Sequence, residues 1–142
     1  MTEDERFMAI AIRLAELGRH TVEPNPMVGS VVVKEGRVLG RGWHRRAGGL
    51  HAEIIALHDI VERGGTLYTT LEPCSTWGKT PPCSDQIISS GLVRRVVIAS
   101  LDRNPLNAGR SRAIFEGYGL SVSFGVLEKR AVDLNRKFFS RF

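Results

Sequence analysis

Thr66-Leu-Tyr-Thr-Thr-Leu71 leads into Glu72-Pro-Cys-Ser-Thr-Trp-Gly-Lys-Thr80, and Val93-Arg-Arg-Val-Val-Ile-Ala99 follows after Pro81-Pro82 and a segment ending at Ser90. The first run is β-branched and strand-like, the middle is a loop, and the prolines are tolerated in the first turn of a helix over 81–90. The apolar run 93–99 is a second strand, and strand–helix–strand marks an α/β domain. Upstream, HAEIIALHDIVER predicts an amphipathic helix over 51–63, stopped by Gly64-Gly65. Met27–Val33 and Arg37–Trp43 read as a hairpin around Glu35-Gly36, and Pro24-Asn25-Pro26 must be a loop. Residues 4–18 space Phe7, Ile10, Ala11 and Leu14 as the apolar stripe of a first helix. Downstream, helices near 108–117 and 127–139 flank a short strand, 120–124. The pattern predicts one three-layer α/β domain, with a mixed sheet of about five strands covered on both faces.

At 142 residues the chain has the length of one domain, enough to bury roughly two thirds of its unfolded surface. A composition 42% hydrophobic and 25% charged excludes disorder, collagen and coiled coil. No apolar run approaches the ~20 residues of a membrane span. MTEDERF is acidic where an export signal is basic, so a cytoplasmic protein with no membrane partner is expected. Two cysteines are too few for a disulfide framework. The net charge of +5 points to an anionic partner, nucleic acid or a phosphorylated metabolite, although a solvated basic surface accounts for the charge alone.

Chemistry concentrates in three places: His51-Ala52-Glu53 at a helix start, Cys74 after a strand and Cys83 at the next helix start. Catalytic zinc takes three protein ligands and leaves its fourth position to water; His51, Cys74 and Cys83 supply such a set. Two thiolates balance the dication, and a helix N-terminus favours the thiolate of Cys83. Zinc lowers the pKa of a bound water toward 7. Glu53, two residues from a ligand, suits a proton shuttle between that water, a ring nitrogen and a departing amine. Each residue also has a plain structural use: small buried thiols, a polar helix start, a first-turn acid. Their coincidence before helices favours zinc. A structural zinc site would fill all four positions, and only three convincing ligands exist. Histidine-x-glutamate with a proline-cysteine and a second cysteine is the arrangement of zinc nucleobase deaminases, there with two residues between the cysteines. Here eight residues separate Cys74 from Cys83.

Motifs along nearly the whole chain extend this. Pro24-Asn25-Pro26-Met27-Val28-Gly29, Gly42-Trp43-His44, His51-Ala52-Glu53, Thr70-Leu71-Glu72-Pro73-Cys74-Ser75, Gly78-Lys79-Thr80-Pro81-Pro82-Cys83, Asn104-Pro105 and Leu134-Asn135 with Phe138 resemble the deaminase domain of the bifunctional riboflavin-biosynthesis deaminase–reductases, within the cytidine deaminase-like superfamily. The resemblance implies that fold, one Zn2+ on His51, Cys74 and Cys83, and Glu53 as proton donor. It implies hydrolytic replacement of the 2-amino group of diaminohydroxyphosphoribosylaminopyrimidine by oxygen, with release of ammonia. Asn25, His44, Lys79 and Asn104 match positions that line the substrate pocket. Asn25 between prolines is a rigid amide able to read a ring edge, and Lys79 a flexible charge suited to phosphate. The resemblance also implies a homo-oligomer, and a single deaminase domain over 1–142 without the reductase domain. That domain would begin after Phe138, so the chain either works beside a separate reductase or is part of a two-part enzyme.

The chain departs from the family at Thr76 and Trp77, where histidine is usual at 76, at Arg103, where proline is usual, and at Ser111, where glycine is usual. Thr76 and Arg103 sit on loops expected to border the pocket, which motivates the alternative of a related deaminase acting on another base or nucleoside. A nucleic-acid-binding or editing module is disfavoured, because the arginines are scattered and aromatics make up only 7%.

Overall fold

The structure, a computed structural model, describes residues 1–77 and 81–140, and Lys79 lies outside them. A capping box opens the first helix. Thr2 Oγ1 accepts the Glu5 N–H at 3.1 Å, and a Glu5 carboxylate oxygen accepts the Thr2 N–H at 2.9 Å. This helix, α1 (Glu3–Glu16), buries Phe7, Met8, Ala11, Ile12 and Ala15. It is followed by a hairpin of β1 (Gly29–Lys34) and β2 (Arg37–Trp43). Glu35 and Gly36 turn the hairpin with positive φ at both positions, 50° and 77°, the conformation whose twist matches the strands. Next come α2 (Ala52–Leu57), β3 (Gly65–Leu71), α3 (Cys83–Ser90), β4 (Val93–Ser100), α4 (Arg110–Gly117), β5 (Ser121–Phe124), α5 (Glu128–Leu134) and α6 (Arg136–Phe139).

The strands lie in the order β2-β1-β3-β4-β5, with β1 antiparallel to its neighbours β2 and β3, and β3, β4 and β5 parallel. Side chains alternate between the two faces of this mixed sheet. Val31, Val33, Tyr68, Val97 and Ala99 pack with α1 and with Ala131 of α5. Val32, Leu67, Val96 and Ile98 pack with Ala56 and Leu57 of α2, Ile87 of α3 and Phe115 of α4. The expected three-layer α/β/α fold and five-stranded mixed sheet are therefore present. Among the described residues, no helix is long and apolar enough to cross a membrane.

Two glycines seat helices against the hairpin. A Cβ on Gly29 would lie 1.9 Å from the Ala11 carbonyl of α1, and one on Gly42 would lie 2.6 Å from the Ala52 carbonyl of α2. The second contact sets the first turn of α2 directly on β2. The register pairs Gly29 with Trp43, Ser30 with Thr69 and Leu71 with Ser100. The start of β1 and the ends of β2, β3 and β4 thus share one edge, and loops beyond the carboxyl ends of parallel strands are where α/β sheets bind ligands.

Three helix expectations are corrected. The helix expected over 51–63 ends at Leu57, because His58 is extended and Asp59 takes a φ of 65°. The chain must leave the helix there so that the Gly64 and Gly65 amides reach the Leu92 carbonyl and start β3. The helix expected over 81–90 starts at Cys83, with Pro82 as its N-cap. The helix expected over 127–139 breaks at Asn135, whose buried side chain is held by the backbone of Met27.

Candidate active site

Loop and helix ends deliver the site residues to the shared edge. His51 is the extended N-cap of α2, Glu53 stands in the first turn of that helix, Cys74 follows β3 and Cys83 opens α3. The ligand atoms of His51, Cys74 and Cys83 all lie within 4.8 Å of one another. His51 Nδ1 is 2.8 Å from Cys83 Sγ, and the Cys83 amide donates to Cys74 Sγ at 3.1 Å. Hydrogen bonding from Cys83, then from His51, pulls the Cys74 thiol down to about 4, and the same sulfur–sulfur contact pushes Cys83 up. The hydrogen bond to Cys74 raises His51. The pair favours a thiolate at Cys74, the form that ligates metal. One imidazole nitrogen and two sulfurs, with a fourth position left over, form a donor set that fits zinc in a catalytic site.

Glu53 is only 3% exposed. Burial raises its carboxyl above the ordinary carboxylate range, against the opposing pull of His51. Beside it lies a cavity of about 250 Å³ lined by Asn25, His44, His51, Glu53 and Cys74, together with Glu72 and Asp102. The structure thus brings five of the expected residues onto one wall, and Cys83 lines an adjoining cavity shared with Asn25, His44 and His51. Asn104 is not on the cavity wall: its Oδ1 accepts the Leu106 amide at 3.1 Å in a local turn. Lys79 lies outside the described residues.

Hydrogen bonding orients His44 and Asn25. His44 Nδ1 lies 3.0 Å from the Leu50 carbonyl, which accepts only, so that nitrogen carries the proton. In the neutral ring Nε2 is then an acceptor, and it receives Asn25 Nδ2 at 3.2 Å. Asn25 and His44 thus hold each other on the wall of the cavity.

Sequence reasoning gave no role to the buried polar groups that hold these loops. Glu72, 3% exposed, accepts from the amides of Asp102, Gly109 and Ser111 at 3.0–3.1 Å and from the Ser111 hydroxyl. Ser111 thus supplies two of the four donors to the carboxylate. Asn107 Oδ1 accepts the Ser75 amide at 2.7 Å, and its Nδ2 donates to Asp102 at 3.1 Å, tying the residue after Cys74 to the loop after β4. Asn135 brackets Met27, accepting its N–H at 2.8 Å and donating to its carbonyl at 2.7 Å. Membership of the quoted motifs was the only signal for Glu72 and Asn135. Arg103 lies over the Phe139 ring at 4.8 Å and does not line the cavity.

Residues 1–100 match the family model of the cytidine and deoxycytidylate deaminase zinc-binding region. The chain belongs to this zinc-binding deaminase family. It is 48% identical over 139 residues to the riboflavin biosynthesis protein RibD of Aquifex aeolicus, covering 96% of this chain and 39% of that protein. It is 45% identical over 141 residues to the diaminohydroxyphosphoribosylamino-pyrimidine deaminase of Buchnera aphidicola, covering 98% of this chain and 95% of that one. The crystal structure of a diaminohydroxyphosphoribosylaminopyrimidine deaminase/5-amino-6-(5-phosphoribosylamino)uracil reductase from Thermotoga maritima superposes with a TM-score of 0.92 at 45% identity, over 97% of this chain and 40% of that one. The chain therefore spans about two fifths of the bifunctional relatives and nearly all of the Buchnera deaminase.

Proposed function

We propose that the chain hydrolytically deaminates diaminohydroxyphosphoribosylaminopyrimidine, with His51, Cys74 and Cys83 holding zinc and Glu53 carrying the proton. The observation that bears most weight is the buried Glu53 carboxyl beside that three-donor cluster, on the wall of the same cavity. Bound zinc supplies a water made acidic enough to be a nucleophile near neutral pH. A Glu53 carboxylate oxygen accepts the proton of the attacking water and passes it to the ring, then to the departing amine. Its raised pKa suits both halves of that task, since a shuttle works best near the operating pH. Water oxygen adds to the ring carbon, the carbon–nitrogen bond breaks, and ammonia leaves. Asn25, fixed by His44, offers its carbonyl oxygen to a donor on the ring edge. The names of the Buchnera and Thermotoga proteins supply the substrate in this reading. A reductase acting on the product, in the same protein or a separate one, belongs to the same proposal.

The test combines zinc content with ammonia release from the phosphorylated pyrimidine, its dephosphorylated form and a panel of nucleosides. One zinc per chain, the highest turnover on the phosphorylated pyrimidine, slower turnover of its dephosphorylated form and none of the nucleosides are expected. Turnover of a nucleoside with no activity on that pyrimidine would replace the substrate assignment.

A further inference from the structure

Two cavities meet along Asn25, His44 and His51, which line both. Their charges differ in kind. The first, about 250 Å³, carries Glu53, Glu72 and Asp102 and no lysine or arginine among the described residues. The second, about 570 Å³, carries Arg46 and no aspartate or glutamate among them. A ring bearing amino groups suits the acidic lobe, whereas a phosphate there would face three carboxyl groups in a partly desolvated space. We infer that the second lobe is the anion subsite of the cleft, with Arg46 receiving the phosphate monoester of a substrate whose ring occupies the first. This inference rests on the deaminase reading above and adds the direction in which the substrate lies.

Local geometry supports the assignment. The segment is anchored where the Ala47 amide meets the Thr21 carbonyl at 3.1 Å, and it turns where the Gly49 amide meets the Arg46 carbonyl at 3.0 Å. A Cβ on Gly49 would sit 3.3 Å from Arg46 Cγ, so glycine there lets the arginine side chain lie across its own turn. Arg46 forms no ion pair with any described residue, whereas its neighbour Arg45 is stacked on the Trp43 ring at 4.3 Å. An unpaired guanidinium presents a planar fork of donors that matches a phosphate oxygen pair.

The experiment reads binding and turnover separately in the zinc-loaded protein. Titration of 15N-labelled protein with ribose 5-phosphate should shift the Gly48 and Gly49 amides, and ribose alone should not. Arg46→Ala should abolish those shifts, Arg46→Lys should keep part of them, and Arg130→Ala, with the same change in charge, should keep all of them. In turnover, Arg46→Ala should lower kcat/KM for the phosphorylated pyrimidine about tenfold or more, the value of a charge-assisted hydrogen bond, and leave the dephosphorylated form unaffected. Shifts confined to other amides, equal losses on both substrates, or phosphate preference that survives Arg46→Ala and disappears in Lys79→Ala would each overturn the inference. Absence of ammonia release from either pyrimidine by the wild type would sink the substrate reading instead, and the amide shifts would still decide this one.

Discussion

Glu53 is separated from His51 by one residue, and the extended N-cap backbone at His51 turns into the helix between them. That local geometry delivers a ligand and a buried carboxyl to the same wall, which is why a three-residue motif was legible in the sequence alone. Glu53→Gln keeps the shape and removes the group that exchanges a proton. Zinc content should stay at the wild-type level, and ammonia release should fall by about 10²–10⁴-fold, the usual contribution of a positioned acid–base group. Metal analysis and an ammonia assay on one preparation check both halves; a variant that retains near-normal turnover excludes Glu53 from the proton path. Asn104 shows where residue-level reading stops. Motif membership gives it a place at the pocket, whereas in this structure its Oδ1 accepts the Leu106 amide in an Asx turn of its own loop, a local bond that leaves no periodic trace in the sequence.

At the scale of elements, apolar spacing revealed every strand and the order of the layers, since β1, β3 and β4 have to bury both faces. It overran the helices at 58–63 and at 135, where contacts distant in sequence decide the backbone. Asn135 meets Met27 across 108 residues, and Asn107 meets Ser75 across 32, so neither clamp leaves a periodic trace. The Asn135 clamp places the loop that carries Asn25. Asn135→Ala would leave the partly buried N–H and C=O of Met27 without partners, at a cost of about 2–3 kcal/mol. For a domain of this size that lowers Tm by about 5–10 °C. Asn135→Asp, which keeps the acceptor and loses the donor, should fall between the two. Thermal unfolding of the three proteins checks the ranking, and an unchanged Tm in the alanine variant would show that the loop is held from elsewhere.

Across the whole molecule, an ion pair near the start of β4 ties together elements that the site at the strands' other end depends on. Arg95 of β4 holds Asp4 of α1 through two hydrogen bonds, of 3.0 and 2.7 Å, and the Tyr68 hydroxyl of β3 donates to the same carboxylate at 2.7 Å. The hydrogen bond from Arg95 keeps the Asp4 carboxyl below its ordinary value, and burial together with the bond to Asp4 drives Tyr68 up. Because the folded-state value of Asp4 is depressed, the unfolded chain binds its proton first as the pH falls. The stabilisation is therefore fully present above the ordinary carboxylate value near 4 and is lost as pH falls through the lower folded value. With the two side chains 28% and 33% exposed, solvent screening limits the pair to about 1 kcal/mol at neutral pH. Asp4→Asn should thus be less stable than wild type by about that amount near pH 7, and the gap should be narrower near pH 2.5, because the stabilisation falls away once the pH is below the ordinary carboxylate value. Urea unfolding at the two pH values measures it, with the other carboxyl groups cancelling between the two proteins. A gap equally wide at both would mean that Asp4 acts through the shape of its hydrogen bonds, and that charge contributes nothing to the join between α1, β3 and β4.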